Sequence, residues 1–381
     1  MSNPLTIISQ NLWLHPHNLE KRMAQFLDRT FNPNPNPKAP SNPQILAIQE
    51  LFSPVLRKSF TEKLEKLNYS VFHPNYVNHD YKIYAYLPSS FTFLLAAIFD
   101  LFLIKFLLYS LSVLLLPQVF KYLSIKFLII PQDPYNRIVK EPNYNYDFMS
   151  ELLAIKNEDF ENFEVLAAKP FDTVGYPFPK YPNNKLKPKH KQCNEVQLFL
   201  EYLKILIFFY IQMVFMKPGY ILVSCTHKKS QKKFIFGSCH CVINFQNPRR
   251  MYQVMELNKQ VEHFQAIKKI DHVIISGDFN SFPNYIDMQY LKQQNFVDTF
   301  QIHEKNQEKQ SENQKYTWHN KNPNTQVQDH LEKDAKIDFT LYKNFTEKKP
   351  LKTLESFVIN NEPDTIISDH YGIYCKLGFA N

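Results

Sequence analysis

Short apolar runs, separated by stripes of helical spacing, set the pattern of this chain. Residues 6–13 and 44–49 read as strands, and Ser70 opens a third. Between them Leu19, Met23, Phe26 and Leu27 share one helical stripe, and residues 55–67 form a second helix. The alternating prolines of Asn32-Pro33-Asn34-Pro35-Asn36-Pro37 block both helix and ladder, so that run is a loop. The rhythm then breaks: residues 91–130 are largely apolar, with Asp100, Lys105, Lys121 and Lys126 as their only charges. A second apolar run covers 198–216 and includes Ile205-Leu206-Ile207-Phe208-Phe209-Tyr210. Afterwards the alternation resumes. Residues 220–225 and 234–241 read as neighbouring strands, followed by the long stripe Met251, Val254, Leu257, Val261, Phe264 and Ile267. Further strands are predicted at 272–276, ending at Gly277, and at 336–342, 354–359 and 371–377, with a polar loop over 302–315. No internal repeat is visible. Strands with helices between them, and hairpin-like neighbours, predict two packed sheets flanked by helices.

Composition narrows the picture in three respects. With 381 residues and 44% apolar content the chain can bury a large core. Its five cysteines are odd in number and contain no CxxC pair, which argues against a disulfide framework and for a reducing compartment. Cys239 and Cys241 flank His240, but on a strand the two thiols share one face and the imidazole takes the other, so they read as core cysteines rather than a metal cluster. The net charge of +8 suits an anionic partner, nucleic acid or a phospholipid surface, although Lys, Asn and Gln are scattered widely. Residues 1–14 lack a basic start and a long apolar run, and read as the first strand rather than a signal peptide.

The candidate chemistry lies where predicted strands end. Asn11 closes the first strand, either as a phosphate contact or as a strand-end cap. Glu50 ends the apolar run Ile45-Leu46-Ala47-Ile48, where a carboxylate needs a cation or a basic partner because burying it unpaired is costly. Asp278 and Asn280 lie two apart after Gly277, suited to holding water and a phosphate oxygen beside a metal, or to a plain Asp-Phe-Asn turn. His240 follows Phe234-Ile235-Phe236, and Asp338, between Ile337 and Phe339, is the natural partner to keep it protonated. Ser368-Asp369-His370-Tyr371-Gly372 supplies a metal-holding carboxylate and a proton acceptor from adjacent backbone positions. His15 and His17 read as loop histidines. Oxygen ligands of this kind suit Mg²⁺.

The order Asn11, Glu50, His240, Asp278/Asn280, Asp338 and Asp369/His370 resembles the endonuclease/exonuclease/phosphatase superfamily, with its DNase-I-like fold. The resemblance spans 4–79 and about 148–378, with the apolar stretch as an insertion. Within the superfamily, Asn11-Leu12-Trp13, Arg22, Gln49-Glu50-Leu51-Phe52, Phe215-Met216-Lys217-Pro218-Gly219-Tyr220 and Arg250 are most similar to neutral sphingomyelinases. Cys239-His240-Cys241 stands where Thr-His-Leu is usual, and Glu151-Leu152-Leu153 where a Gly-bearing segment is common. The fold implied is an α+β, four-layer α/β/β/α sandwich of two mostly antiparallel sheets with an apolar helical insertion. It would form one catalytic domain over 1–381, interrupted by a membrane-associating helical segment at 82–147, with a second hydrophobic helix at 194–217.

The activity implied is Mg²⁺-dependent phosphodiester hydrolysis. Glu50, Asp369 and Asn11 would hold the metal, and Asn11 and Asn280 the substrate phosphate. His370 would accept a proton from the attacking water, with Asp278 and Asn280 orienting it. His240, steadied by Asp338, would stabilise the charge that develops on phosphorus oxygens. Sphingomyelin cleavage to ceramide and phosphocholine at a membrane is the leading expectation. A nuclease or deadenylase-like activity on nucleic acid is the alternative, and a catalytically idle membrane adaptor a third reading. No obligate protein partner is implied. Because the strands after the insertion rejoin the same fold, its two ends lie on one side of any membrane, so it crosses an even number of times or lies in the interface. Asp100 and Lys105 are costly in hydrocarbon unless paired or reaching the surface. A helical hairpin turning near 110–112, shallow or fully spanning, is favoured over a buried core pair of helices, and the expected location is a membrane inside the cell, with the catalytic part on the cytosolic face.

Overall fold

The computed structural model describes residues 4–12, 19–31, 42–51, 54–73, 151–171, 218–242, 247–300, 316–320, 322–325, 334–361 and 366–380. All belong to one compact unit comprising Met1–Leu14, Leu19–Pro74 and Asp147–Asn381. The expected insertion at 82–147, the apolar runs at 91–130 and 198–216, the helix at 194–217, Trp13, His15, His17 and the loops at 32–37 and 302–315 lie outside the described residues. Among the described residues no helix is long and apolar enough to cross a membrane.

The elements run β1 (Leu5–Asn11), α1 (Leu19–Phe31), β2 (Ile45–Gln49), α2 (Pro54–Lys66), β3 (Tyr69–Phe72), β4 (Leu152–Lys156) and β5 (Phe160–Pro170). They continue with β6 (Gly219–His227), β7 (Lys232–His240), α3 (Asn247–Lys268), β8 (His272–Asp278), α4 (Ile286–Gln293) and β9 (Val297–Asp298). The last three are β10 (Asp338–Asn344), β11 (Leu351–Ile359) and β12 (Gly372–Phe379). One six-stranded sheet has the order β11-β12-β1-β2-β4-β3 and the other β5-β6-β7-β8-β10-β9. Among the described residues, the pairs β1–β2 and β7–β8 are parallel, each joined through one helix, and every other pairing is antiparallel. The two sheets therefore repeat one arrangement, β1-β2-β4-β3 against β7-β8-β10-β9, although the sequence shows no repeat.

Alternation along the strands builds the layers. Ile7, Ile45, Ala47 and Ile155 of the first sheet meet Ile221, Val223, Phe236 and Ile274 of the second in the central core. On the outer side of the first sheet, Ile8, Leu46 and Ile48 pack against Met23 and Phe26 of α1 and Phe60 and Leu64 of α2. On the outer side of the second, Ile235, Val273 and Ile275 pack against Val254, Leu257 and Val261 of α3 and Leu291 of α4. The result is the expected α/β/β/α sandwich. Burying a large apolar side chain stabilises by roughly 1.5–3 kcal/mol, so each of these three layers contributes to the hydrophobic drive.

Sequence patterning missed β4, β5, α4 and β9. In β5 the period is broken by register shifts between Glu161 and Glu164 and between Val165 and Ala167, so its apolar residues do not alternate cleanly. Cys225, Cys239, Cys241 and Cys375 are free and buried, as expected, and Cys239 and Cys241 lie in the core beneath α3.

Candidate active site

Both parallel pairs end at the same edge of the sandwich. Asn11 lies opposite Gln49 where β1 and β2 finish, and His240 lies opposite Asp278 where β7 and β8 finish. β10 begins at that edge, with Asp338 paired to Asp278, and β12 begins just after His370. Carboxyl ends of parallel strands are where open α/β sheets gather binding groups. Gly277 permits the convergence, because a Cβ there would stand 1.9 Å from the Cys239 carbonyl oxygen across the β7–β8 pair.

Asp278 is the centre. Its Oδ2 accepts a hydrogen bond from Asn11 Nδ2 at 3.1 Å, and lies 3.6 Å from His240 Nε2 and 3.9 Å from His370 Nε2. Its Oδ1 accepts the Asn280 backbone N–H at 2.8 Å. Asn11 Nδ2 also donates to Glu50 Oε1 at 3.0 Å, so one amide links a carboxylate of each sheet. Glu50 Oε1 lies 3.8 Å from His240 Nε2. Glu50 has φ 61°, which breaks the strand alternation that would otherwise send its side chain toward α1 and α2. A left-handed non-glycine residue costs roughly 1–2 kcal/mol, so this turn is held by its surroundings. Gln49 contributes by donating to Ser238 Oγ at 3.1 Å across the sheets. Asn280, also left-handed at φ 50°, donates one amide N–H to the Cys241 carbonyl at 3.0 Å.

One expectation is corrected. Asp338 does not steady His240; its Oδ2 accepts the His370 Nδ1 hydrogen bond at 2.9 Å. The strand order β7-β8-β10 explains this, since it puts Asp278 between His240 and Asp338. His240 faces Glu50 and Asp278 instead. Among the described residues, the ligand atoms that lie within 4.8 Å of one another form two groups, Glu50/His240/Asp278 and Asp278/Asp338/His370. Asp369 is in neither group; its Oδ1 accepts from Ser368 Oγ at 3.1 Å.

The electrostatics follow from burial and crowding. Burial, reinforced by Asp338 and Glu50 against the pull of His370 and His240, pushes the Asp278 carboxyl up to about 7. Burial together with Glu50 and Asp338 also brings Asp369 to about 7, although His370 and Ser368 oppose it. Burial alone would lower His370, but Asp338, Asp369 and Asp278 outweigh it and hold the imidazole well above its ordinary value. Arg22 of α1 is buried behind Asp369 and Glu50. Burial brings its guanidinium down to about 10 against their pull, and its Nη1 donates to the Leu12 carbonyl at 2.6 Å and the Ile367 carbonyl at 3.4 Å.

Several supporting residues were not singled out as site residues from sequence. Gln10 Nε2 donates to the Asn11 and His370 carbonyls at 2.8 and 3.1 Å. Asn322 Nδ2 donates to the carbonyls of Ser368 and Asp369 at 2.9 and 3.0 Å. Thr317 and Trp318 cross between Ala335 and His370. Glu151, buried at the head of β4, adds a carboxylate at this edge. The available signal was the pair Tyr316 and Trp318, two aromatic residues in an otherwise polar stretch.

No family model matches the chain, and no curated protein matches it by sequence. Solved structures do resemble it. The human Nocturnin catalytic domain, solved with a bound sulfate anion, is similar at 13% identity and TM-score 0.52, over 100% of this chain and 96% of that one. The D. rerio TDP2 structure, complexed with a single-strand DNA product, is similar at 15% identity and TM-score 0.54, over 99% and 100%. An endonuclease/exonuclease/phosphatase from Bacteroides vulgatus is similar at 11% identity and TM-score 0.51, over 100% of both chains. These likenesses show the fold: the chain has the DNase-I-like fold of endonuclease/exonuclease/phosphatase proteins.

Proposed function

We propose that the chain is a divalent-metal-dependent phosphodiesterase, with a nucleic-acid strand as its best-supported substrate. The observation that carries this reading is the convergence of Glu50, His240, Asp278, Asp338 and His370 at one edge of the sandwich. Glu50 and Asp278 offer the hard oxygen donors that Mg²⁺ prefers, and His240 adds a nitrogen that other divalent ions accept. Burial, with Asp338 and Glu50 adding to it, pushes Asp278 up to about 7, so its ionised form is under-compensated in the cluster, and a cation would supply that compensation. When bound, such an ion would neutralise charge developing on a phosphoryl oxygen and acidify water. Glu50 and Asp278 would hold it, with Asn11 fixing both carboxylates and Asp369 and Arg22 setting the surrounding charge.

The chain's own residues divide the remaining work. Asp338 accepts the Nδ1 proton of His370, which fixes the ring and turns Nε2 toward the site. From there Nε2 would take a proton from the attacking water once the ring is neutral, the form favoured when a bound cation offsets the pull of Asp338, Asp369 and Asp278. His240 Nε2, between Glu50 and Asp278, would stabilise charge on the reacting phosphate. Asn280 would position Asp278 through its backbone N–H and present its remaining amide group to substrate phosphate.

Two observations favour nucleic acid: the net charge of +8, and likeness to a TDP2 structure that holds a single-strand DNA product. A second reading, sphingomyelin hydrolysis on an intracellular membrane with the catalytic part facing the cytosol, draws its support from the apolar stretch at 91–130. The test is purified full-length protein with Mg²⁺ against single-stranded DNA, single-stranded RNA and sphingomyelin vesicles. Mg²⁺-dependent cleavage of a strand, lost in Asp278→Asn, is the expected result. Cleavage of sphingomyelin alone would move the assignment to the second reading, and no cleavage of any phosphodiester would reject both.

A further inference from the structure

Asp338 and His370 come from different sheets. Asp338 opens β10 in one, and His370 precedes β12 in the other. Their 2.9 Å hydrogen bond therefore needs something that fixes the two backbones relative to each other. The segment 316–320 runs between them. Thr317 Oγ1 accepts the backbone N–H groups of Ile337 at 3.0 Å and Asp338 at 3.1 Å. The Thr317 carbonyl accepts the Tyr371 N–H at 2.6 Å, on the other sheet. Trp318 makes antiparallel bridges with both Ala335 and His370. Its indole is buried with Ala335 and Ile337, and Phe282 packs against that cluster, so the segment is pinned.

One hydroxyl and one carbonyl of the same residue thus hold the backbone of the carboxylate and the residue following the imidazole. A valine has the same shape and would keep the packing, yet it would leave two buried N–H groups without their acceptor. Those N–H groups belong to the residue that carries the carboxylate and to its predecessor, so the strain would appear as a shift of Asp338 relative to His370.

We infer that Thr317 is a positioning residue: it clips β10 to the start of β12 and sets the Asp338–His370 pair in its working geometry. The inference rests on the phosphodiesterase reading of the same site. Three kinds of observation separate it from a purely structural role. Thr317→Val should lower kcat by about 10²-fold with KM unchanged, the scale expected when a catalytic group is misplaced by about an ångström. Thr317→Ser, which keeps the oxygen, should restore most of it. In an Asp338→Asn background the same Thr317→Val change should add little, because the pair it positions is already lost.

The direct readout needs no substrate. In ¹⁵N-histidine-labelled full-length protein, the Nδ1 proton of His370 bonded to Asp338 should give a downfield resonance, identified by its absence in Asp338→Asn. That resonance should weaken or move in Thr317→Val and persist in Thr317→Ser. If Thr317→Val does not fold, Thr317→Ala removes the same oxygen and takes its place. An unchanged resonance, or a kcat loss that adds fully to that of Asp338→Asn, would overturn the inference. If wild-type protein cleaves no phosphodiester, the functional reading fails, and the resonance alone decides whether Thr317 positions the pair.

Discussion

Strand β8 carries a buried ionisable group at each end, and the two ends treat charge in opposite ways. At its start, His272 Nδ1 bonds Asn344 Oδ1 at 2.8 Å, and its ring packs against Phe234 and Phe379 at 5.2 and 5.7 Å. His227 of β6 packs on the same two rings at 6.3 and 6.2 Å, and its Nδ1 lies 2.8 Å from Ser230 Oγ. Neither Nε2 has a hydrogen-bond partner among the described residues. Burial lowers both imidazoles, despite weaker raising pulls from Asp159 on His227 and from Asn344 and Asp271 on His272. At the far end of the strand, burial also works against charge on His370, but three carboxylates reverse it. The difference lies not in depth but in what the strand ends carry. One end is a dry aromatic anchor. The other gathers five carboxylates, Glu50, Glu151, Asp278, Asp338 and Asp369, that favour bound cations and protons over bare, ionised oxygens.

The comparison breaks most visibly at the histidines. His370→Ala should reduce turnover by roughly 10²–10⁴-fold in a protein whose circular dichroism is unchanged, the range for losing a general base. His272→Gln should leave kcat unaltered. Equal activity losses at the two ends, measured by steady-state kinetics, would erase the distinction.

Glycine replacements sharpen it next. A Cβ on Gly277 would meet the Cys239 backbone oxygen at 1.9 Å, whereas one on Gly378, toward the aromatic end, would meet the movable Leu354 side chain at 2.8 Å. Gly277→Ala should cost about 1–3 kcal/mol in urea unfolding and distort the His240–Asp278 alignment, reducing activity as well. Gly378→Ala should cost less and leave activity in place.

The pH dependence of stability should have opposite sign at the two ends. Burial, with the neighbouring carboxylates, pushes Asp278 and Asp369 up to about 7, against an ordinary 3.8. Stability from these groups is therefore full below the unfolded value and lost as pH rises toward 7. Chelation should lower the Tm more at pH 8 than at pH 6. His227 and His272 are held below the ordinary 6.5, so their stability is full above that value and falls as the pH drops through it. A His227→Gln/His272→Gln protein should therefore lose less Tm than wild type between pH 7 and pH 5, the smallest of these effects.

Much of the active end was legible because strand ends are legible. Asn11, Glu50, His240 and Asp278 each sit where an apolar run stops and Asp338 where a strand begins, and the β-rich pattern already implied two sheets. What could not be read was lateral order. His240 and His370 both reach the edge, and β8 lying between β7 and β10 is what assigns Asp338 to His370. Thr317 escaped notice because its work is done by one hydroxyl on two backbone groups, in a segment with no hydrophobic period. Asn280 read as a phosphate contact, yet part of its hydrogen bonding is directed inward to Cys241 and Asp278. The aromatic end left even less trace, since His227 and His272 are separated in sequence and meet through Phe234 and Phe379.

The central claim, that the acidic edge performs metal-assisted phosphodiester hydrolysis with His370 as proton acceptor, is tested most directly on a small diester. Bis(p-nitrophenyl) phosphate should be hydrolysed by the full-length protein with Mg²⁺, not after chelation, and only at a trace rate by His370→Ala. Turnover that persists without a divalent cation, or that survives in a folded His370→Ala protein, would contradict it.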